Sequence, residues 1–181
     1  LGMADLHAAY NELIALLREN SLLSSIGSVL HWDERTQRPP GGADHRAEQL
    51  SLIARMSHEK FTSPRVGELL SQVENSELTR DSASDSAVNI RETRRSYDRA
   101  TKLPPALVEE IAKTTSLSEH AWESAKKSSD FAGFAPWLEK VIGLDQQKAD
   151  CIAPGKNRYD TLLDAYEPDE TSANLRIVFD G

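Results

Sequence analysis

Cysteine is nearly absent from this sequence: Cys151 is the only one among 181 residues. No disulfide can therefore form within the chain, and no zinc site can be built from cysteine ligands. A single thiol is usual for proteins of the reducing cytosol, so we expect a cytoplasmic location. We interpret Cys151, at the end of a predicted helix, as a small buried hydrophobic residue rather than a reactive thiol.

Long hydrophobic runs are also missing. No stretch approaches the roughly 20 uncharged apolar residues that a membrane span requires, and Asp5, His7 and Glu12 interrupt the first apolar segment. The sequence therefore predicts neither a membrane helix nor a signal peptide. The dipeptide Leu1-Gly2, which precedes Met3, is interpreted as a remnant of a cloning vector.

Basic residues are outnumbered, with 21 Lys and Arg against 29 Asp and Glu and a net charge of −8. This balance argues against sequence-independent binding of nucleic acids, which requires cationic side chains to neutralise phosphates. One basic stripe is present, because Arg91, Arg95 and Arg99, with Arg94 beside them, recur on a predicted helix. We expect these arginines to pair with carboxylates of neighbouring helices; binding of an acidic partner or a substrate carboxylate is the alternative.

Strand signals are absent as well, since no run alternates strictly between apolar and polar residues. The sequence predicts an all-α fold, a multi-helix array of about seven or eight helices with no sheet. No linker separates two cores, so residues 3–181 are predicted to form a single helical unit. The first helix is amphipathic, with Leu22, Ile26 and Val29 continuing its apolar pattern, and the serines and glycine at 24–28 allow a kink or break.

Turn and capping residues predict where several helices begin and end. Pro39-Pro40-Gly41-Gly42 is the strongest stop signal, and Ser63-Pro64 predicts an N-cap followed by proline at the first helical position. Ser129-Asp130 is expected to cap a further helix. Four aromatic residues near this point are predicted to pack in the core rather than to form a ligand cage. They are Trp122, Phe131, Phe134 and Trp137.

No complete catalytic or metal-binding constellation can be recognised, so no catalytic and no metal-ligating residue is predicted. A zinc helix of the H-E-x-x-H type needs a second imidazole one turn after the first. The nearest string begins at His58-Glu59, but Thr62 occupies the fifth position. We therefore interpret the five histidines as solvent-exposed or helix-capping residues. A serine nucleophile elbow and a glycine-rich phosphate loop are also missing.

Several motifs, in order along the chain, nevertheless resemble the N-terminal region of the carboxypeptidase Taq family of zinc metallocarboxypeptidases. The first is Trp-Asp-Glu-Arg-Thr at 32–36, followed by the Pro-Gly turn and by Arg-Ala-Glu-Gln at 46–49. The last is Tyr-Asp-Thr-Leu-Leu-Asp-Ala-Tyr-Glu-Pro at 159–168. The sequence departs from the family at Arg38, where methionine is common before proline, and at Asp169, where glycine is usual.

The resemblance implies roles for two groups of residues. The residues of the first motif are expected to hold the first helix against the second. They are Trp32, Asp33, Thr36 and Arg46. The residues of the last motif are candidates for the side of the substrate groove, and core packing and helix capping are the alternative. They are Tyr159, Asp160, Tyr166 and Glu167. The family's zinc helix and catalytic residues lie in a C-terminal part that no position of this sequence matches.

Two hypotheses about function follow. In the first, the chain is the N-terminal part of a carboxypeptidase that removes C-terminal amino acids from peptides, and it contributes groove wall or dimer surface. The isolated chain is then predicted to be inactive and to bind no cofactor, while zinc or another divalent metal, the peptide substrate and the missing C-terminal catalytic part belong to the full enzyme. In the second, the chain is a stand-alone helical module for dimerisation or interaction. Neither involves nucleic acid or a membrane.

Overall fold

The computed structural model of the protein describes residues 2–180, apart from the side chain of Pro40. These residues form eight α-helices and no strand, which confirms the all-α prediction and the number of helices. Leu1, half of the predicted vector remnant, lies outside the described residues. The helices are α1 (Met3–Thr36), α2 (Ala43–Phe61), α3 (Pro64–Val73), α4 (Asp85–Ala100), α5 (Pro105–Ser128), α6 (Phe131–Ile152), α7 (Arg158–Leu163) and α8 (Ser172–Asp180).

Helix α1 runs without interruption through the segment where the sequence allowed a kink or break. The hydroxyls of Ser24, Ser25 and Ser28 donate to backbone carbonyls three or four residues earlier, at distances of 2.7–3.2 Å. Each polar side chain is thereby satisfied within the helix, so the serines lower the helix propensity without ending the helix.

Several predicted helix boundaries are confirmed. Pro64 is the first residue of α3, although the side chain of Ser63 makes no capping hydrogen bond. Asp130 caps α6, because its carboxylate accepts a hydrogen bond of 3.0 Å from the backbone N–H of Gly133. Proline needs no hydrogen-bonded N–H at the first helical position, and a carboxylate at the N-cap satisfies a free donor.

The described chain divides into two compact units, one ending at His120 and the other beginning at Ala121. Whether they form one domain, as the sequence predicts, stays a prediction. In the first unit the core lies where α3 packs on the N-terminal half of α1 and on α4. It consists of Ala9, Leu13, Val66, Leu69, Leu70, Val73 and Ile90. In the second unit α6 packs on α7, and the buried residues are Leu144, Ala149, Ile152 and Thr161.

A close contact fixes α3 against α4 in the first unit. A Cβ atom placed on Gly67 would lie 2.5 Å from the hydroxyl oxygen of Tyr97 and 3.0 Å from its Cζ atom. The Tyr97 ring also meets Phe61 edge-on, with centroids 6.2 Å apart, and lies beneath the guanidinium of Arg94. Glycine is therefore needed at this position for the two helices to approach so closely.

Apolar side chains are exposed in both units, and for two aromatic residues this contradicts the predicted core position. Leu22, Ile26 and Val29 continue the apolar pattern of α1 but are exposed by 65%, 48% and 63%. In the second unit Trp122 and Phe131 are exposed as well, rather than packed in the core. Both sets follow helical spacing, and spacing alone does not determine whether another element covers the face.

The apolar character of α1 also bears on the membrane prediction. By length and composition this helix could cross a membrane, since one window of 18 residues reaches a mean hydropathy of 1.3. The sequence expectation that no segment comes near a membrane span is therefore too strict. Core helices of water-soluble proteins pass the same test, so this finding does not by itself indicate a membrane.

Candidate functional site

Arg46 ties the start of α2 to the end of α1. Its Nη2 atom lies 2.5 Å from Oδ2 of Asp33, and its Nη1 atom donates to the carbonyl of Leu30 at 2.6 Å. Its Nε atom donates to the side chain of Gln49 at 2.9 Å. The Arg46 side chain is only 14% exposed, so these are largely desolvated, charge-assisted hydrogen bonds in a fixed fork.

The first family motif is only partly brought together. Asp33 and Arg46 form the ion pair just described, across the Pro-Gly turn. Thr36 donates its hydroxyl to the carbonyl of Trp32 at 2.8 Å, which is a contact within α1. Trp32 is 60% exposed. The contact that holds the two helices together therefore rests on Asp33 and Arg46, and the role of the other two residues stays a prediction.

Glu34 is a buried carboxylate that the sequence reasoning missed. Its side chain is 5% exposed, and Oε1 accepts a hydrogen bond from the hydroxyl of Ser116 on α5. The Nδ1 atom of His31 lies 3.5 Å from Oε2, which has no hydrogen-bond partner. One sequence signal was available: Gly27, His31 and Glu34 follow one another at helical spacing, which places the carboxylate on the face that carries Gly27.

A second set of polar contacts joins α1 to α5. The guanidinium of Arg35 donates to both carboxylate oxygens of Glu119, at 2.7 and 3.3 Å. Beyond the end of α1, the Nη2 atom of Arg38 lies 3.1 Å from Nδ1 of His120. Together with the hydrogen bond between Ser116 and Glu34, these contacts add polar links to the packing of the C-terminal half of α1.

A cleft of about 470 Å³ lies between α1, α2 and α5. Its lining is mainly apolar or small, with Gly27, Ile53, Ala54 and Val108 among the residues, and the two histidines His31 and His58. The Nε2 atom of His58 lies 2.9 Å from the carbonyl of Leu103, so this nitrogen is the donor. His58 is thus a partly buried link to the start of α5, not an exposed or helix-capping residue.

The described residues do not fit a metal ion. Within residues 2–180, no group of three or more His, Cys, Asp and Glu side chains is arranged to hold one. His58 is followed by Glu59, but Thr62 stands where a second imidazole is required, and its hydroxyl donates to the carbonyl of His58 at 2.8 Å. That the isolated chain binds no metal stays a prediction.

The residues of the last family motif belong to the second unit. Tyr159 and Tyr166 are 59% and 83% exposed, and Glu167 is exposed as well. Asp160 accepts a hydrogen bond of 2.8 Å from the backbone N–H of Ser172, so its carboxylate anchors the start of α8. Asn157 caps α7 through its side-chain oxygen. Whether any of these residues faces a substrate groove stays a prediction.

Several charged groups outside these contacts form ion pairs at the surface. Arg94 pairs with Glu74 at 2.9 Å, as expected for the basic stripe, whereas Arg91 bonds to Glu92 on its own helix. Hydrogen bonding from Arg158 holds the pKa of Asp150 below its usual value. Cys151 is a free thiol and only partly buried, which corrects the prediction of a buried position.

Comparison with known proteins gives a consistent result. Residues 12–181 match the family model described as carboxypeptidase Taq (M32) metallopeptidase. "Thermostable carboxypeptidase 1" of Thermus thermophilus is 41% identical over an alignment that covers 95% of this chain and 36% of that protein. "Carboxypeptidase 1" of Bacillus subtilis is 31% identical over 97% of this chain and 34% of that protein.

The fold is also found among solved structures. The crystal structure of "BsuCP" superposes with a TM-score of 0.86 at 29% sequence identity, over 96% of this chain and 35% of that one. The present chain thus spans about a third of the length of the curated relatives it matches.

Proposed function

The chain belongs to the carboxypeptidase Taq (M32) metallopeptidase family, and we propose that it acts as the N-terminal helical part of an enzyme that removes single amino acids from the C-termini of peptides. The observation that carries the proposal is the match to the family along residues 12–181, together with relatives that are about three times longer. The peptide substrate and the chemistry are proposed for the whole protein, not for these 181 residues alone.

In this proposal the chain supplies one wall of the substrate groove and is itself inactive. The arrangement of the first motif supports a scaffolding role. Arg46 donates hydrogen bonds to the carboxylate of Asp33 and to the backbone carbonyl of Leu30 in α1, so both side chains are engaged within the fold. The catalytic metal, zinc or another divalent ion, is assigned to the part that the longer relatives carry. No catalytic step is assigned to residues of this chain, and a cytoplasmic location belongs to the same proposal.

A chimera tests the proposal directly. In it, this chain replaces the matched segment of the Thermus thermophilus relative, at 41% identity. We expect the chimera to release C-terminal amino acids from peptides, and the isolated chain to release none. A folded chimera without activity would count against the proposal. Metal analysis of the isolated chain is the second measurement: one zinc per chain, lost in the His58→Ala variant, would contradict the predicted absence of a metal site.

The alternative is a stand-alone helical module that dimerises or binds a partner. It is favoured by the apolar side chains that α1 and α8 leave exposed, among them Ile26 and Phe179. The intact mass of the protein as its own cells make it separates the two hypotheses. A mass well above 20.1 kDa supports the carboxypeptidase part, and a mass near 20.1 kDa supports the module.

A further inference from the structure

The apolar face with the most exposed side chains in the first unit lies on the paired helices α1 and α2. It is defined here as the outer face and consists of Leu22, Ile26 and Val29 of α1 and Leu52 and Met56 of α2. Their exposed fractions are 65%, 48%, 63%, 45% and 42%. The residues of α1 follow spacings of four and three, and those of α2 a spacing of four, so each set forms one stripe along its helix.

Three apolar side chains of this segment of α1 point away from α2 and α5. Towards α2 and α5 this segment turns the half-buried residues Leu23, Gly27 and Leu30, and the exposed Ser24 and Ser28 line the open cleft between the three helices. Leu22 and Ile26 instead border an open recess of about 670 Å³ beside Met56 on the other side of the helix pair. An amphipathic helix ordinarily places its apolar stripe towards the core, so the larger side chains of this segment lack the cover that their pattern calls for.

The antiparallel register of the two helices explains why the outer face is continuous. Ser57 donates to the side chain of Asn20 at 2.8 Å, and Lys60 pairs with Glu19 one turn further along. These contacts place the Met56 turn of α2 beside the Leu22 turn of α1. The exposed side chains therefore form one patch on the order of a few hundred Å², a size that monomeric proteins seldom leave open without a binding role.

The size of the patch limits what can cover it. A stable complex between separate molecules buries roughly 800 Å² on each partner, and the outer face offers less. A segment of the same polypeptide loses much less translational freedom on docking, so a smaller patch suffices. The charges at the edge of the recess compensate one another, since Glu19 pairs with Lys60 and Glu59 with Arg55, so no cluster of free cations is present to attract an anionic lipid surface.

We propose that the outer face is the docking surface for a helix from the part of the polypeptide that the longer relatives carry and these 181 residues do not include. The proposal rests on the proposed function, because only the family match supplies that additional length. The docked helix buries Leu22, Ile26, Val29, Leu52 and Met56 and fills the recess between α1 and α2.

Thiol labelling of the chimera described above tests this inference. In a Cys151→Ser background, with any cysteines of the Thermus thermophilus part replaced by serine, single cysteines are introduced as Ile26→Cys, Met56→Cys and, as control, Glu92→Cys. Glu92 lies on α4 with 57% of its side chain exposed. In the isolated chain all three positions are expected to react with iodoacetamide at similar rates.

In the chimera, labelling at positions 26 and 56 is expected to slow by about tenfold or more, since a covered thiol reacts only after local opening. Labelling at position 92 is expected to stay unchanged. Equal rates at all three positions in an active chimera would overturn the inference and leave the proposed function intact. An inactive but folded chimera with protection confined to positions 26 and 56 would count against the proposed function and support the inference.

Measurements on the isolated chain test the inference independently of the chimera. If the inference is correct, the isolated chain sediments as a monomer. The triple variant Leu22→Ser, Ile26→Ser, Val29→Ser then melts at the same temperature as the unmodified chain and binds less of the dye ANS. A dimer in which the cysteine at position 26 is protected would assign the face to a second copy. A triple variant that does not fold would assign it to the chain's own core, and either result overturns the inference.

Discussion

The two halves of α1 have the same apolar periodicity and opposite surroundings. In the N-terminal half, Leu6, Ala9 and Leu13 are buried, and Ala9 and Leu13 lie in the core that α3 forms. In the C-terminal half Leu22, Ile26 and Val29 are exposed, and Asp33 and Glu34 add polar contacts to α2 and α5. The comparison shows that periodicity determines which residues share a face of the helix, while the neighbouring elements determine which face is buried.

The largest expected effect tests the apolar side of this comparison. Leu69 is fully buried in the core of α1, α3 and α4, and Leu69→Ala is expected to lower the free energy of unfolding by about 2–5 kcal/mol through lost burial and a residual cavity. The matched control is Leu22→Ala in the exposed stripe, for which we expect a change within about 0.5 kcal/mol. Urea titrations of both variants measure the difference, and equal midpoints would contradict the contrast between the two halves.

The next effect tests the polar side. Arg46→Ala leaves the partly buried carboxylate of Asp33 and the carbonyl of Leu30 without their donor, and we expect a loss of about 2 kcal/mol in the free energy of unfolding. Arg35→Ala is the control, because the Arg35 side chain is 64% exposed and its ion pair with Glu119 is expected to contribute about 0–1 kcal/mol. Arg46→Lys keeps the charge but not the fork, and an intermediate loss is expected.

Two glycines give a smaller contrast along the same lines. At Gly67 a methyl group would collide with Tyr97, whose ring is fixed between Phe61 and Arg94, so Gly67→Ala is expected to destabilise the chain by about 1–3 kcal/mol. At Gly27, in the C-terminal half of α1, the nearest atom is a methyl group of Ile53 at an ordinary 3.6 Å. Gly27→Ala is therefore expected to stabilise α1 by up to about 1 kcal/mol. Thermal unfolding measures both, and a stabilising Gly67→Ala would refute the close contact.

The smallest effect concerns pH and the N-terminal half of α1. Hydrogen bonds of 2.7 and 2.6 Å from Arg65 hold the pKa of Glu12 below its usual value of 4.5. Because the pKa is lower in the folded chain, the folded state binds fewer protons than the unfolded state as the pH approaches 4.5 from above. The stabilisation is therefore fully present above pH 4.5 and is lost as the pH falls through the lowered pKa.

Melting temperatures between pH 7 and pH 3 check this prediction. The unmodified chain is expected to melt slightly above Glu12→Gln at pH 7, with the difference vanishing in acid and shrinking in high salt. Glu48→Gln, a substitution of another exposed glutamate, serves as control and is expected to show no such trend. A difference between Glu12→Gln and the unmodified chain that grows on acidification would refute the assignment.

The fold could be predicted from the sequence wherever a local signal exists. Pro64 and Asp130 mark helix starts through their own backbone and side-chain chemistry, and the structure follows them. The exposure of Trp122 and Leu22 could not be predicted, since it depends on whether elements distant in the chain cover them. Glu34 was missed for the same reason: its partner Ser116 is 82 residues away, and nothing in the local sequence indicates that α5 covers it.

The fork of Arg46 has a consequence for the order in which the chain folds. Its contacts to Asp33 and Leu30 bridge only 13 and 16 residues, whereas the contacts of α1 to α5 bridge 82 to 84. Contacts local in sequence form with little loss of chain entropy, so the hairpin of α1 and α2 is expected to close early. During synthesis it can close before α5 has left the ribosome, and it then presents to α5 a surface on which the carboxylate of Glu34 is already positioned.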